Sequence, residues 1–431
     1  MATPRSTLIL LAASAVLAQS GSAATLPIAP VHVHAFQRSV GSAVTPANSL
    51  CSGMGLGVNG ALNGFVPAST DAWHQNISSA TVDPSSATII NTAGDLAGYN
   101  LHPDFGTQYG IPYVVVDSRT QPNVSVPINL YGSESDITVA PVPANAPIEG
   151  NPLACTAPAG DQHVLVLDRN SCVDYEYWTA SSCNGAWSAS DSALWDMTTP
   201  EKRPYGYTSA DAAGLSVFEG LIRYDEIIAG SINHAIRFTA KYTKTGPQDG
   251  YYVAPATHSS GNLWGTDNII GMRIRLKAGF DISHYSKTNQ IILTAMKNYG
   301  MILADNGTTM FFQGTQDNRW DDNDLSSLSA VPSSAFEVVT MGTVSTMWTP
   351  PATGAAPTIQ SFTASATSVK AGATVVLTAV APGASYSYVD KAGFMRNGTV
   401  SVSPTATTTY TLTSRNAFGS VSKSLTVTVV Q

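Results

Sequence analysis

Short alternating or apolar runs, each closed off by Pro, Gly, Asn or Asp, leave this chain few options other than a β-fold. GIPYVVVDS (110–118), VPINLYG (126–132), HVLVLD (163–168), VDYEYW (173–178), NHAIRFTAKYT (233–243), GMRIRLKAGFDI (271–282), GMILADN (300–306) and TTMFFQG (308–314) all have strand length and composition. Asp305-Asn306-Gly307, between the last two, is a hairpin turn signal. Helical signals are few. In SKTNQIILTAMKNYG, Ser286 or Thr288 caps the start, Ile291, Ile292, Ala295 and Met296 form an apolar stripe, and Gly300 ends it. DNRWDDNDLSSL (317–328) holds a second short helix. The pattern predicts a mainly β protein, with a jelly-roll or β-sandwich domain carrying one or two helices over residues 81–347 as the catalytic unit.

The flanks differ in character. Residues 1–24 have an early Arg5, an apolar stretch and small residues at Ser22, Ala23 and Ala24, the pattern of a secretory signal peptide, so a secreted, extracellular protein is expected. Residues 25–80, rich in Gly, Ala, Ser and Asn with weak periodicity, read as a loosely structured extension, with GMGLGVNGALNG (53–64) a flexible loop. Around MWTPPATGAAPTIQ the pattern breaks into a linker, 348–357. Beyond it, SVSPTATTTYTLTSRNAFGSVSKSLTVTV resembles the bacterial immunoglobulin-like modules that end many exported enzymes, with Tyr410 where such sandwiches put a core tyrosine. That resemblance implies a C-terminal immunoglobulin-like sandwich over 358–431, a spacer or attachment module separable from the rest. HVLVLDRNSCVDYEYW, SADAAGLSVFEGLIRYDEIIAGSINHAIRFT, GMRIRLKAGFDIS and MKNYGMILADNG together resemble, over about 100–340, a widespread uncharacterised family of exported bacterial β-rich proteins. The resemblance implies an exported β-rich domain and brings no catalytic residues with it.

Cysteine usage fits the expected compartment, because an even count in an exported chain implies disulfides. Spacing pairs Cys172 with Cys183 across a short loop and leaves Cys51 for Cys155. The net charge of −8 is acidic, and 358–431 carries more Lys and Arg than Asp and Glu, so the acidity belongs to the larger part. Without a basic stripe interleaved with aromatics, a nucleic-acid partner is not expected. After the leader, no apolar run approaches the roughly 20 residues that span a bilayer. Cys-x-x-Cys and His-Glu-x-x-His are missing, so no metal centre or other cofactor is expected. The stretch WDDNDL (320–325) has oxygen ligands suited to Ca²⁺, although a capped, exposed turn is the stronger reading. A Gly-x-Ser-x-Gly elbow, a phosphate loop and a nucleotide fingerprint are also missing.

Candidate chemistry concentrates in GDQHVLVLDRNSCVDYEYW (160–178), in a chain where only 12% of residues are charged. Alternation puts Asp174, Glu176 and Trp178 on one face, opposite Val173, Tyr175 and Tyr177. A carboxyl among aromatic rings is the pattern of a sugar cleft, where a raised pKa suits a general acid. The expected function is hydrolysis of a polysaccharide by paired carboxylates: Glu176 as acid or nucleophile, Glu226 or Asp225 as its partner, and Tyr175, Trp178 or Trp187 as the stacking surface. In HAIRFTAK and MRIRLK, Arg237 and Lys241, and Arg273, Arg275 and Lys277, fall on polar faces. As neighbouring strands these would form a basic strip suited to a carboxylate or sulfate. This supports a second reading, a polysaccharide lyase in which Arg237 or Arg273 neutralises a uronate while His163 and a tyrosine move protons. A third is a noncatalytic glycan-binding or surface protein using the same aromatics. The structural alternatives are a solvent-facing hairpin for Glu176, a loop organiser for Asp211, a paired sheet face for the arginines and a core position for His234.

Overall fold

In chain order, the strands of the two main sheets are β1 (Gly57–Val58), β2 (His102–Asp104), β3 (Tyr113–Val116), β4 (Val164–Asp168), β5 (Val173–Trp178), β6 (Asp191–Asp196), β7 (Ile236–Ala240), β8 (Arg273–Leu276), β9 (Met301–Asn306), β10 (Phe311–Gln313) and β11 (Phe336–Val338). The computed structural model describes residues 50–150, 160–200, 203–346 and 348–430; the leader and Cys155 lie outside the described residues. The first sheet has the order β1-β3-β4-β5-β6 and the second β11-β8-β9-β7-β10-β2. The protein is therefore mainly β and of the sandwich class, as the pattern predicts. Both sheets are mixed: β3 runs parallel to β4 and β7 to β9, whereas β4–β5, β5–β6 and β8–β9 are antiparallel. The run at 126–132 contributes only a bridge from Ile128 to Ala189, since Pro127 cannot donate to a ladder. Asp305-Asn306-Gly307 does not close a hairpin either, because β9 and β10 both pair with β7.

The α-helices among the described residues are short: α1 (Ser86–Asn91), α2 (Tyr224–Ala229), α3 (Lys287–Asn298) and α4 (Asp322–Ser326). The start and stop of α3 follow its sequence signals. Ser286 Oγ accepts from the Asn289 amide at 3.1 Å, and Ile291, Ile292, Ala295 and Met296 are buried. Gly300, at φ +71°, lies where an added Cβ would meet the Ile274 carbonyl oxygen at 2.4 Å, so only glycine fits. No helix among the described residues is long and apolar enough to cross a membrane.

The first sheet is covered on both faces. Val114, Val116, Val164, Val166, Tyr175 and Tyr177 pack on one side, and Tyr113, Val115, Leu165 and Leu167 meet Phe218 and Leu221 on the other. Residues 50–80, part of the stretch read as loosely structured, are packed into the fold: β1 extends the first sheet, Met54 lies in its core, Trp73 packs in the core of the second sheet, and Ile77 is buried. Cys51 is bonded to Cys172, which corrects the pairing of Cys172 with Cys183. The strand between those two cysteines explains the error. At about 3.3 Å per residue, β5 carries the chain roughly 20 Å away from Cys172. Cys183 sits in a separate ribbon, Ser181–Cys183 paired with Ala186–Ser188, and is itself disulfide-bonded.

The C-terminal strands form a two-sheet β-sandwich. Ser361–Ala364, Val375–Val380 and Thr399–Val402 make a three-stranded sheet, and a five-stranded sheet is built around Thr408–Asn416 and Gly419–Val430. Phe362, Leu377, Tyr410, Leu412 and Val427 fill the space between them. The linker composition suggests a separable module, but the tail shares a core with the first sheet. Tyr386, Tyr388 and Phe394 join the cluster of Val164, Val166 and Tyr175. Asp136, with a fully buried side chain, receives Arg203 from one side and Arg415 of the tail from the other. Arg396 Nη1 reaches both Asp196 oxygens at 2.7 Å. All the described residues fall within one unit, Ser39–Gln431.

Candidate functional site

A sheet buried on both faces has no solvent side for a catalytic carboxylate, and this decides the position of Glu176. Its residue is 0% exposed, and its oxygens accept from Trp195 Nε1 (3.0 Å), Ser216 Oγ (2.9 Å) and the amides of Val217 (3.0 Å) and Phe218 (2.8 Å). Glu176 is a buried anchor for the 216–218 turn, neither an acid facing a cleft nor a solvent-facing residue. Beside it, burial and then the Glu176 carboxylate push Asp174 well above the usual range. Tyr175 and Trp187 are core residues at 5% and 4% exposure, so neither offers a stacking surface.

The other expected partners are engaged elsewhere. Glu226 accepts from Arg223 N (2.9 Å), Arg223 Nη2 (2.7 Å) and His234 Nε2 (2.9 Å) at the start of α2. Burial alone would raise its pKa, but Arg223 and His234 hold it at about 2. Asp225 is paired with Arg319 at 2.8 Å. Both carboxylates line a groove with Phe65 and Asn233, away from Glu176. His163 contacts Glu149 Oε2 through Nδ1 (2.6 Å) and the Ala210 carbonyl through Nε2 (2.8 Å), so both ring nitrogens donate. Burial opposes that charge, yet Glu149 raises the pKa to about 9. His163 is thus a structural cation, not a proton shuttle. His234 is a satisfied core histidine, with Nδ1 donating to the Ala235 carbonyl at 2.7 Å.

The arginine strip does not exist as a surface, since β9 separates β7 from β8. Arg237 bonds Asp211 Oδ2 through Nη2 at 2.9 Å and also reaches Gln313. Arg273 donates to the carbonyls of Tyr299 (2.7 Å), Ala72 (2.9 Å) and Gln75 (2.9 Å), and Arg275 pairs with Glu337 at 2.8 Å and caps the Ile77 carbonyl. These residues fasten segment 72–77 to the second sheet. Arg273→Ala is therefore expected to cost about 3 kcal/mol of stability in urea unfolding, because it strands buried carbonyls, while any glycan binding persists in the folded fraction. Within WDDNDL, Asp321 caps α4, Asp322 accepts from Thr107 and Asp324 from Ser286, so the carboxylates diverge. Among the described residues no group of three His, Cys, Asp or Glu could hold a metal ion.

Chemistry converges instead on a pocket of about 190 Å³ at the C-terminal ends of β5 and β9, lined by Tyr131, Asp161, Trp178, Asp211, His258 and Asp305 among others. Trp178 is the predicted stacking residue that reaches a pocket. Its Nε1 donates to Asp161 Oδ1 at 3.1 Å, and its ring lies 6.0 Å from that of Tyr131, tilted by 49°. Asp211 organises its loop: Oδ1 accepts from the Ala213 amide at 2.9 Å, and Oδ2 is held by Arg237. Asp305 accepts from the Asn306 amide at 2.6 Å and the Ala212 amide at 3.3 Å. Burial, then the charges of Asp211 and Asp161, raise its pKa to about 7. His258 Nδ1 donates to the Ala212 carbonyl at 2.8 Å, which fixes the tautomer and leaves the lone pair on Nε2. Burial lowers its pKa, so the ring is a neutral base.

Sequence reasoning missed Asp161, His258 and Asp305. Asp305 had a signal: MILADN ends an apolar strand in a carboxylate that no hairpin turn requires. A larger cleft of about 570 Å³ is lined by residues 214–216 and includes Asp71, His74, Trp195 and Glu219. Burial and a hydrogen bond donated to Asp71 push Glu219 well above the usual range, and the two carboxyls touch. Contacting carboxyls leave no room for the sugar or water that glycosidic cleavage places between them, at separations of about 5 Å or 6.5–9.5 Å. Compared with known proteins, the chain matches no family model and no curated sequence.

Proposed function

We propose that this protein is an exported carbohydrate-active hydrolase whose reaction centre is the 190 Å³ pocket, with Asp305 as proton donor. The observation that carries the reading is one aromatic-walled pocket combining a carboxyl protonated up to about pH 7, the exposed carboxylate Asp161 and a neutral imidazole. A sugar ring rests against Trp178 and Tyr131. Asp305 gives its proton to the glycosidic oxygen as the bond to the anomeric carbon breaks, and Asp161 faces the positive charge that develops there. Water adds to that carbon while His258 Nε2 takes its proton. The volume is below the roughly 300 Å³ at which drug-sized ligands begin to fit, so one sugar unit enters, from a chain end. A lyase would need a free cation for the uronate, and Arg237 and Arg273 are both engaged internally.

The pH profile tests this assignment. kcat/KM for reducing-end release is expected to fall above about pH 7 as Asp305 loses its proton. It should also fall on the acid side, below the ordinary histidine range, as His258 gains one. Product that absorbs as an unsaturated sugar indicates a lyase, and glycan retention without product indicates a binder; either outcome removes the hydrolase reading.

A further inference from the structure

We propose that the pocket takes a sugar bearing a free ammonium group, an amino sugar without its N-acyl substituent; this rests on the pocket being the glycan site described above. The argument begins with charge. No Lys or Arg is among the lining residues, and the two cations behind them are engaged, Arg237 by Asp211 and Gln313, and His163, which also feels the Asp161 charge, by Glu149. With Asp211 so paired, Asp305 protonated and His258 neutral, the Asp161 charge at the mouth has no counterion in the pocket. A uronate would meet repulsion there, whereas a cation supplies the missing charge.

Hydrogen-bond capacity points the same way. Ser260 Oγ donates to Asn306, Ser209 Oγ to the Asp211 and Leu215 carbonyls, and Trp178 Nε1 to Asp161. Among the lining side chains, apart from the Tyr131 hydroxyl, the second Nδ2 hydrogen of Asn306 and the acid proton of Asp305, what is left is acceptors: Asp161 and His258 Nε2. An ammonium has three donors and no acceptor. The rings of Trp178 and Tyr131 line the pocket together with Asp161, and an aromatic ring is the other feature that favours a cation over a neutral hydroxyl.

Calorimetry with three oligosaccharide probes tests the proposal at mildly acidic pH and low salt: glucosamine oligomers, their N-acetylated counterparts and a uronic-acid oligomer. The glucosamine oligomer should bind at least about tenfold more tightly than the acetylated one, with uronate binding weakest. The preference should shrink with added salt and disappear in Asp161→Asn, an exposed position whose replacement leaves the fold intact. Equal or reversed affinities, or an unchanged preference in Asp161→Asn, overturn it. Cleavage is read separately. A neutral glycan cleaved while glucosamine oligomers neither bind nor react sinks this inference and leaves the hydrolase; selective glucosamine binding with no cleavage of any glycan does the reverse.

Discussion

Replacing Asp305 with Asn is expected to lower turnover of a cleaved glycan by about 10²–10⁴-fold, the range for loss of a general acid, with little change in KM. Stability separates this from simple damage. The carboxyl of Asp305 has a folded-state pKa near 7, above its unfolded value of about 3.9, so its contribution to stability is complete only below about pH 4 and is lost progressively as pH rises from there through 7. Asn has no charge to lose. The variant should therefore unfold at a temperature close to that of the parent only below about pH 4, with a lead that grows as pH rises towards 7 and stays constant above about pH 8. An inactive variant that is less stable at alkaline pH would assign Asp305 to the scaffold, and an active one would remove it from the mechanism.

The second large effect concerns Asp136. Its buried side chain is the shared counterion of Arg203 and Arg415, themselves 1% and 3% exposed. Burial already draws Arg415 down to about 10, so an uncompensated charge there is costly. Asp136→Ala should cost about 3–5 kcal/mol in urea unfolding, the range for breaking a buried pair from one side. Truncation after Thr346 should be worse, because it removes Arg415 and Arg396 and uncovers the Val and Tyr face of β4 and β5. A truncated chain that still unfolds cooperatively at the parent's midpoint would show that the tail is only attached.

Strands were legible because alternation and turn residues are local, and α3 was legible down to its cap. The faces were not. Whether Glu176 looks at solvent depends on what covers the sheet, and the cover, 216–218, is 40 residues away. The arginines of β8 misled for a related reason: their partners on 72–77 are backbone carbonyls, which leave no mark in sequence. Cys172 and Cys183 look close when counted in residues, although an extended strand divides them. The pocket required β9, segment 208–212 and segment 258–260 to meet, and no local pattern encodes that meeting. Trp178 was found because an aromatic beside carboxylates is itself a local signal.

The buried clamp between the tail and the first sheet changes how far and in what direction the pocket can work. A flexible ten-residue tether lets its cargo wander over a radius of roughly 5–6 Å times the square root of its length. A sandwich locked by Asp136 and Arg396 allows no such wandering. Its longest strand, the 12 residues of Gly419–Val430, reaches roughly 40 Å as a stiff lever. Anything grasped by the far edge of that sandwich fixes the aim of the pocket as well as its distance, so successive encounters with an ordered surface repeat the same angle of approach.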